Sequence, residues 1–223
     1  MKFLSVKGVP VVSWSSPRPL NFRPRFTTLS LLCIGLVVFG IGEAMLIAAG
    51  AGVSPWTVFA QGIASITGLS IGWATFAVSV AVLLLWIPLS QTPGLGTVLN
   101  AIIISVALEL SLNYLPQPEN YLLKLVETVV GILLVGIGSG LYLIANLGPG
   151  PRDGLMTGLQ GLTSFPIASV RTSIEVIAVI LGWLLGGTVG VGTLLFAFGI
   201  GPSVAIGLAS VNRFSLPVIK NSS

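Results

Sequence analysis

The sequence has no histidine and one cysteine, Cys33, in 223 residues. A disulfide within the chain is therefore excluded, and a His/Cys metal site has almost nothing to be built from. Ser-His-Asp and Cys-His nucleophilic chemistry is ruled out. Charge is equally scarce: 7% of residues are Asp, Glu, Lys or Arg, against roughly 25% in an average soluble protein. A soluble domain of this length needs far more polar surface. Few catalytic residue types remain and no carboxylate pair stands at a useful spacing, so an enzyme is not expected. No cofactor or metal is expected either.

What the chain does have is apolar length. Hydrophobic residues make up 54% and the mean hydropathy is +1.03. The expected class is an all-α integral membrane protein. Apolar stretches of spanning length run over about 27–49, 71–89, 96–114, 122–145, 168–187 and 192–211; a span needs roughly 20 residues. Two shorter segments, 54–67 and 151–163, each follow a Gly/Pro-rich turn. The second contains Arg152, Asp153 and Gln160, which makes it a poor span. The expectation is six transmembrane helices plus two short re-entrant or interfacial ones. A model in which the short helices also cross, giving four spans per half, stays open.

The basic residues are informative through position. Lys2, Lys7, Arg18, Arg23 and Arg25 crowd the N-terminus, and no Lys or Arg follows until Lys124. The net charge of +4 is thus a tail effect. It points to cytoplasmic termini by the positive-inside rule. No basic face with interleaved aromatics exists, so nucleic acid is excluded as a partner. The tail carries Pro10, Pro17, Pro19 and Pro24 and is expected to be irregular and partly mobile. Basic residues followed by an apolar run, with Ala49-Gly50-Ala51 mimicking a cleavage site, resemble a signal peptide. The run 27–49 is too long for that, and its counterpart later in the chain is internal.

That counterpart emerges when the chain is shifted by 96 residues without a gap. Gly35, Gly40, Ile41, Gly42, Ala49, Gly52, Pro55 and Gly62 fall on Gly131, Gly136, Ile137, Gly138, Ala145, Gly148, Pro151 and Gly158. Thr67, Ile71 and Gly96-Thr97 fall on Thr163, Ile167 and Gly192-Thr193. We read an internal duplication with this organisation: a basic cytoplasmic tail (1–26), a first repeat (27–115), a second repeat (122–211) and a cytoplasmic C-terminal tail (212–223). Three spans per half is an odd number, so the halves are expected to be inverted repeats, a frequent transporter design. Gly136 and Gly140, and Gly182, Gly186 and Gly190, have GxxxG spacing. They suit close helix packing or a dimer interface.

The polar segment Gly148-Pro149-Gly150-Pro151-Arg152-Asp153 is the main candidate for binding or gating. Pro151 suits the first turn of a helix, whose N-terminus attracts anions; Arg152 adds a full positive charge. Asp153 instead caps the helix or pairs with Arg152. The alternative is a tight surface turn with Arg152 at the lipid headgroups. The first-half equivalent keeps Gly52 and Pro55 without charge. Glu43 stands inside the first span, where a lone carboxylate is costly; its counterpart is Ser139. A proton or substrate contact and a hydrogen-bonded structural role both fit it. Glu109 is expected to snorkel to the interface, and Arg171 and Glu175 to form an i,i+4 ion pair.

Several stretches resemble the bacterial YczE-like membrane proteins of the YczE/YyaS/YitT group: Gly148-Pro-Gly-Pro-Arg-Asp-Gly-Leu-Met156, Ser169-Val-Arg-Thr172 with Glu175, and Gly182-Trp-Leu-Leu-Gly-Gly-Thr-Val-Gly-Val-Gly-Thr193. The first half adds Val53-Ser-Pro-Trp56, Gln61-Gly62 and Pro93-Gly-Leu-Gly-Thr-Val-Leu-Asn100. Thr57 stands where that group carries an acidic residue, and Thr92 where it carries a basic one beside Gln91. The resemblance implies a multi-pass protein of the bacterial inner membrane and fits a small transporter or exporter. Its expected partners are the lipid bilayer, a small molecule with an anionic group and, as an alternative to a monomer, a second copy in a homodimer. The competing reading is a non-transporting accessory or assembly partner of another membrane or biosynthetic protein.

Overall fold

The structure, a computed structural model, describes residues 9–214. Lys2, Lys7, Lys220 and residues 215–223 of the expected C-terminal tail lie outside the described residues. Eight helices, and no strand, occur among the described residues: α1 (Phe26–Ala49), α2 (Pro55–Thr67), α3 (Ile71–Leu85), α4 (Leu95–Leu112), α5 (Tyr121–Ala145), α6 (Pro151–Thr163), α7 (Ile167–Leu184) and α8 (Val191–Phe214). The protein is an all-helical membrane protein. By length and composition α1, α4, α5, α7 and α8 suit a membrane crossing, and α2 with α3 adds a sixth if the pair is one span bent by 112°.

Local chemistry sets the helix ends. The short helices α2 and α6 open on Pro55 and Pro151, where the missing N–H costs nothing. They close on Gly68 and Ser164 in left-handed conformation. Likewise α1 closes on Gly50 and α5 on Asn146, both left-handed. Each of these positions has its match 96 residues away.

One expected span is corrected. The stretch 71–89 is helical only to Leu85, about 22 Å at 1.5 Å per residue, short of a roughly 30 Å hydrocarbon core. Trp86-Ile87-Pro88 stops it: a residue preceding proline avoids the helical region. Trp86 turns inward instead, 2% exposed.

The centre is a crossing of α1 with α5, flanked by α4 on α1 and α8 on α5, while α2 packs on α7 and α3 on α6. Glycine permits the central approach. A Cβ built on Gly35 would lie 2.9 Å from Gly138 O, and one on Gly42 would lie 2.7 Å from Gly131 O. As the first number rises the second falls, so α1 and α5 run antiparallel. Gly40 meets Ala107 and Gly136 meets Ser203, which is the same packing 96 residues on. The turns also match: Gly96 N donates to Leu147 O and Gly192 N to Ala51 O, each at 2.7 Å. Gly136 and Gly140 pack on α8 and Gly182 on α2. Gly186 and Gly190 lie beyond the end of α7, so their GxxxG spacing serves a turn rather than a helix face.

The irregular N-terminal segment does not hang free. Val12 is 2% exposed and packs against Ile144 and Leu208. Ser16 N donates to Ala145 O (3.0 Å), and Asn146 Nδ2 donates to Ser16 O (2.9 Å). The expected mobility is therefore corrected around residues 12–16, which are held by the end of α5.

Candidate functional site

The two short helices start at the same place. Ser54 and Pro55 of α2, and Gly150 and Pro151 of α6, line one cavity of about 170 Å3. First-turn N–H groups have no acceptor within their own helix, and the aligned peptide dipoles make such ends positive. Arg152 and Asp153 extend from α6 into the lining, Tyr142 and Ser139 from α5, Asn100 from α4, and Arg171 and Glu175 from α7. Both halves of the chain therefore build the site.

Its charged groups are held differently. The Arg152 guanidinium lies 5.4 Å from the centroid of the Trp56 ring, a cation–π contact. Among the described residues it makes no hydrogen bond or ion pair; the salt bridge present is Arg171 Nε to Glu175 Oε1 at 2.9 Å. Asp153 neither caps its helix nor pairs with Arg152. Its Oδ2 accepts from Tyr142 OH at 2.6 Å. Trp86 Nε1 donates to Pro151 O at 2.9 Å and pins the start of α6.

Glu43 stands directly behind the lining, 1% exposed. Its Oε2 accepts from Ser54 Oγ and Thr57 Oγ1, each at 2.8 Å. Ser54, the N-cap of α2, makes no cap to its own helix, because its hydroxyl is turned to Glu43. Two buried side-chain atoms have no hydrogen-bond partner among the described residues: Glu43 Oε1 and Trp56 Nε1.

Residues 26–208 match the family of unknown function DUF6198. The chain belongs to this family. It is 41% identical to an uncharacterized protein of Haemophilus influenzae (strain Rd) over 208 residues, 93% of this chain and 94% of the relative. It is 31% identical to the uncharacterized membrane protein YczE of Bacillus subtilis, across 82% of each chain. The YyaS protein of the same organism is 27% identical over 73% of this chain and 83% of its own. No solved structure matches. The DUF6198 region begins at α1 and stops within α8, so it contains every residue of the cavity.

Of the residues singled out by sequence, Pro55, Gly150, Pro151, Arg152, Asp153, Arg171 and Glu175 come together in this DUF6198 cavity. Gly52, Gly148 and Pro149 do not line it. Gly52 and Gly148 take φ of 110° and 111°, which favours glycine. Gly52 packs on Gly190 and Thr193, Gly148 on Gly94 and Thr97. Pro149 O accepts from Thr97 Oγ1 at 2.7 Å. These three build the turns that aim the helices. Glu109 is corrected: rather than snorkelling, it accepts from Gly72 N at 2.7 Å and caps the start of α3.

Sequence reasoning missed Tyr142, Asn100 and Trp86. Tyr142 offered one signal, a hydroxyl among the apolar residues of a span. Asn100 closes the stretch Pro93–Asn100 that resembles the YczE-like group, but nothing gave it a place in a site, and nothing local marked Trp86.

Proposed function

We propose that this chain is a small-molecule transporter made of two duplicated, inverted halves, with the cavity between α2 and α6 as its substrate site. The observation that carries the reading is the meeting of two short-helix N-termini, one from each half, around an unpaired Arg152. Discontinuous helices that present their N-terminal ends to a substrate's anionic group at a repeat interface are a recurrent transporter device. Arg152, and the N–H groups beside it, suit a carboxylate or similar anion. The cavity is complete within one chain, so a homodimer is not required for binding.

Several observations support duplication with inversion. Helix ends, left-handed caps and buried turn hydrogen bonds recur at a spacing of 96 residues. The equivalent helices α1 and α5 run antiparallel, and the contact Gly35 to Gly138 becomes Gly131 to Gly42 under the same shift. The basic N-terminal tail supports cytoplasmic termini in a bacterial inner membrane.

Two experiments test the reading. In a Cys33→Ser background, single cysteines at Gly68 and Ser164 should label from opposite faces; labelling of both from one face contradicts inversion. Purified protein should gain thermal stability with a small organic molecule carrying an anionic group, and Arg152→Gln should abolish the gain. A ligand at 100 times its Kd adds about 2.7 kcal/mol. A gain that survives Arg152→Gln places the substrate elsewhere.

A further inference from the structure

We infer that the occupant of this cavity is a small zwitterion, an amino acid of about the size of alanine or serine, rather than a simple anion. The inference deepens the transport reading and rests on its placing of the substrate between α2 and α6.

Charge balance is the first argument. Each helix N-terminus already faces a carboxylate of the protein's own. At α2 it is Glu43, held by Ser54 and Thr57. At α6 it is Asp153, in the first turn itself. Thr57 and Asp153 are 96 residues apart, so Glu43 restores through space the acidic group that Thr57 lacks. The positive helix ends are thus largely offset, and they do not make the cavity a general anion trap.

What remains exposed to the cavity is one charge of each sign. Arg152 rests on the Trp56 ring with no ion-pair partner among the described residues. Asp153 engages Tyr142 through Oδ2 alone, and its Oδ1 has no hydrogen-bond partner among the described residues. These neighbours lie about 100° apart around the helix, and they form no salt bridge with each other. A simple anion would satisfy Arg152 and leave the Asp153 carboxylate facing a like charge. A simple cation would do the reverse. An ammonium and a carboxylate on one small molecule satisfy both.

Trp56 is 8% exposed and lines the cavity, and its indole N–H is buried without an acceptor among the described residues. A buried donor of this kind is costly unless something accepts from it, and a shift of the ring would be needed to bring it to a ligand carboxylate beside Arg152. Size agrees: a cavity of about 150 Å3 holds benzene, so about 170 Å3 suits six to eight heavy atoms, and alanine has six.

The test uses full-length protein in detergent and three matched probes: L-alanine, propionate and ethylamine. Propionate is alanine without its ammonium, and ethylamine is alanine without its carboxylate. Alanine is expected to bind about 10- to 100-fold tighter than either, as the loss of one charged hydrogen-bonded partner implies. Asp153→Asn should erase the preference over propionate, and Arg152→Gln the preference over ethylamine. Melting curves without ligand verify that each variant folds, and Arg152→Lys should recover part of the affinity. Propionate binding as tightly as alanine would overturn the inference and leave an anion transporter standing. Absence of binding by alanine, glycine and serine alike would also overturn it, while transport itself is read separately by labelling the cavity from the two membrane faces.

Discussion

The antiparallel crossing of α1 and α5 predicts opposite signs for one and the same substitution. A Cβ on Gly138 would lie 2.5 Å from Gly35 O and 2.7 Å from Phe39 N. Both are backbone atoms, so no side chain can rotate away and the two helices must separate. Overpacking of this kind costs about 1–3 kcal/mol. Replacing a mid-helix glycine by alanine returns about 0.5–1 kcal/mol of backbone preference. With two backbone atoms in the way the upper part of the overpacking cost applies, about 2–3 kcal/mol, and Gly138→Ala should lose about 1–2.5 kcal/mol. At about 2–4 °C per kcal/mol for a chain of this size, thermal unfolding of the purified protein should move down by about 2–10 °C. Gly161 is also helical, but a Cβ there meets nothing within 4 Å. Gly161→Ala keeps only the gain and should raise the midpoint by about 1–4 °C. Gly42, which stands 96 residues before Gly138, meets Gly131 O at 2.7 Å in the same way, and Gly42→Ala should match Gly138→Ala. If Gly138→Ala melts at or above the unmodified protein, the close crossing is wrong.

Two further substitutions probe the cavity wall. Glu43→Leu leaves the buried Ser54 hydroxyl only Thr57 Oγ1 as acceptor, at 3.0 Å, strands the Thr57 donor, and should cost about 1–3 kcal/mol in thermal unfolding, whereas Glu43→Gln keeps a carbonyl acceptor and should cost less; equal losses would show that the retained acceptor contributes nothing. Tyr142→Phe removes the donor to Asp153 Oδ2 and should cost about 1.5–3 kcal/mol, the range for hydrogen bonds to charged groups. An unchanged midpoint would mean that the 2.6 Å contact is energetically idle.

Much of this fold was legible in glycine and proline. Those residues mark backbone requirements, such as the left-handed Gly52 and Gly148 or the helix-opening Pro55 and Pro151, and such requirements survive a shift of 96 residues when apolar identities do not. Hydropathy located the long helices for the same reason that it overran α3. It registers Trp86 to Leu89 as apolar but not that Pro88 halts a helix and that Trp86 is needed as a donor to Pro151. The site was legible where its groups share a short segment, as Arg152 and Asp153 do. Tyr142 with Asp153, and Glu43 with Thr57, meet through the packing of separate helices, and no local pattern encodes that. Asp153 shows the limit most clearly. Its place in a first turn suggested a cap or a partner for Arg152, and a tyrosine eleven residues earlier on another helix took that role.

Transport through this cavity, as proposed, requires that it open to each side of the membrane in turn. Asn100 lines it, and Cys33→Ser leaves a cysteine-free background. A single cysteine at Asn100 in sealed vesicles of known orientation, treated with a membrane-impermeant thiol reagent from one face and then the other, tests the claim directly. Reaction from either face is the expected result. Reaction from only one face, or from neither, would contradict it.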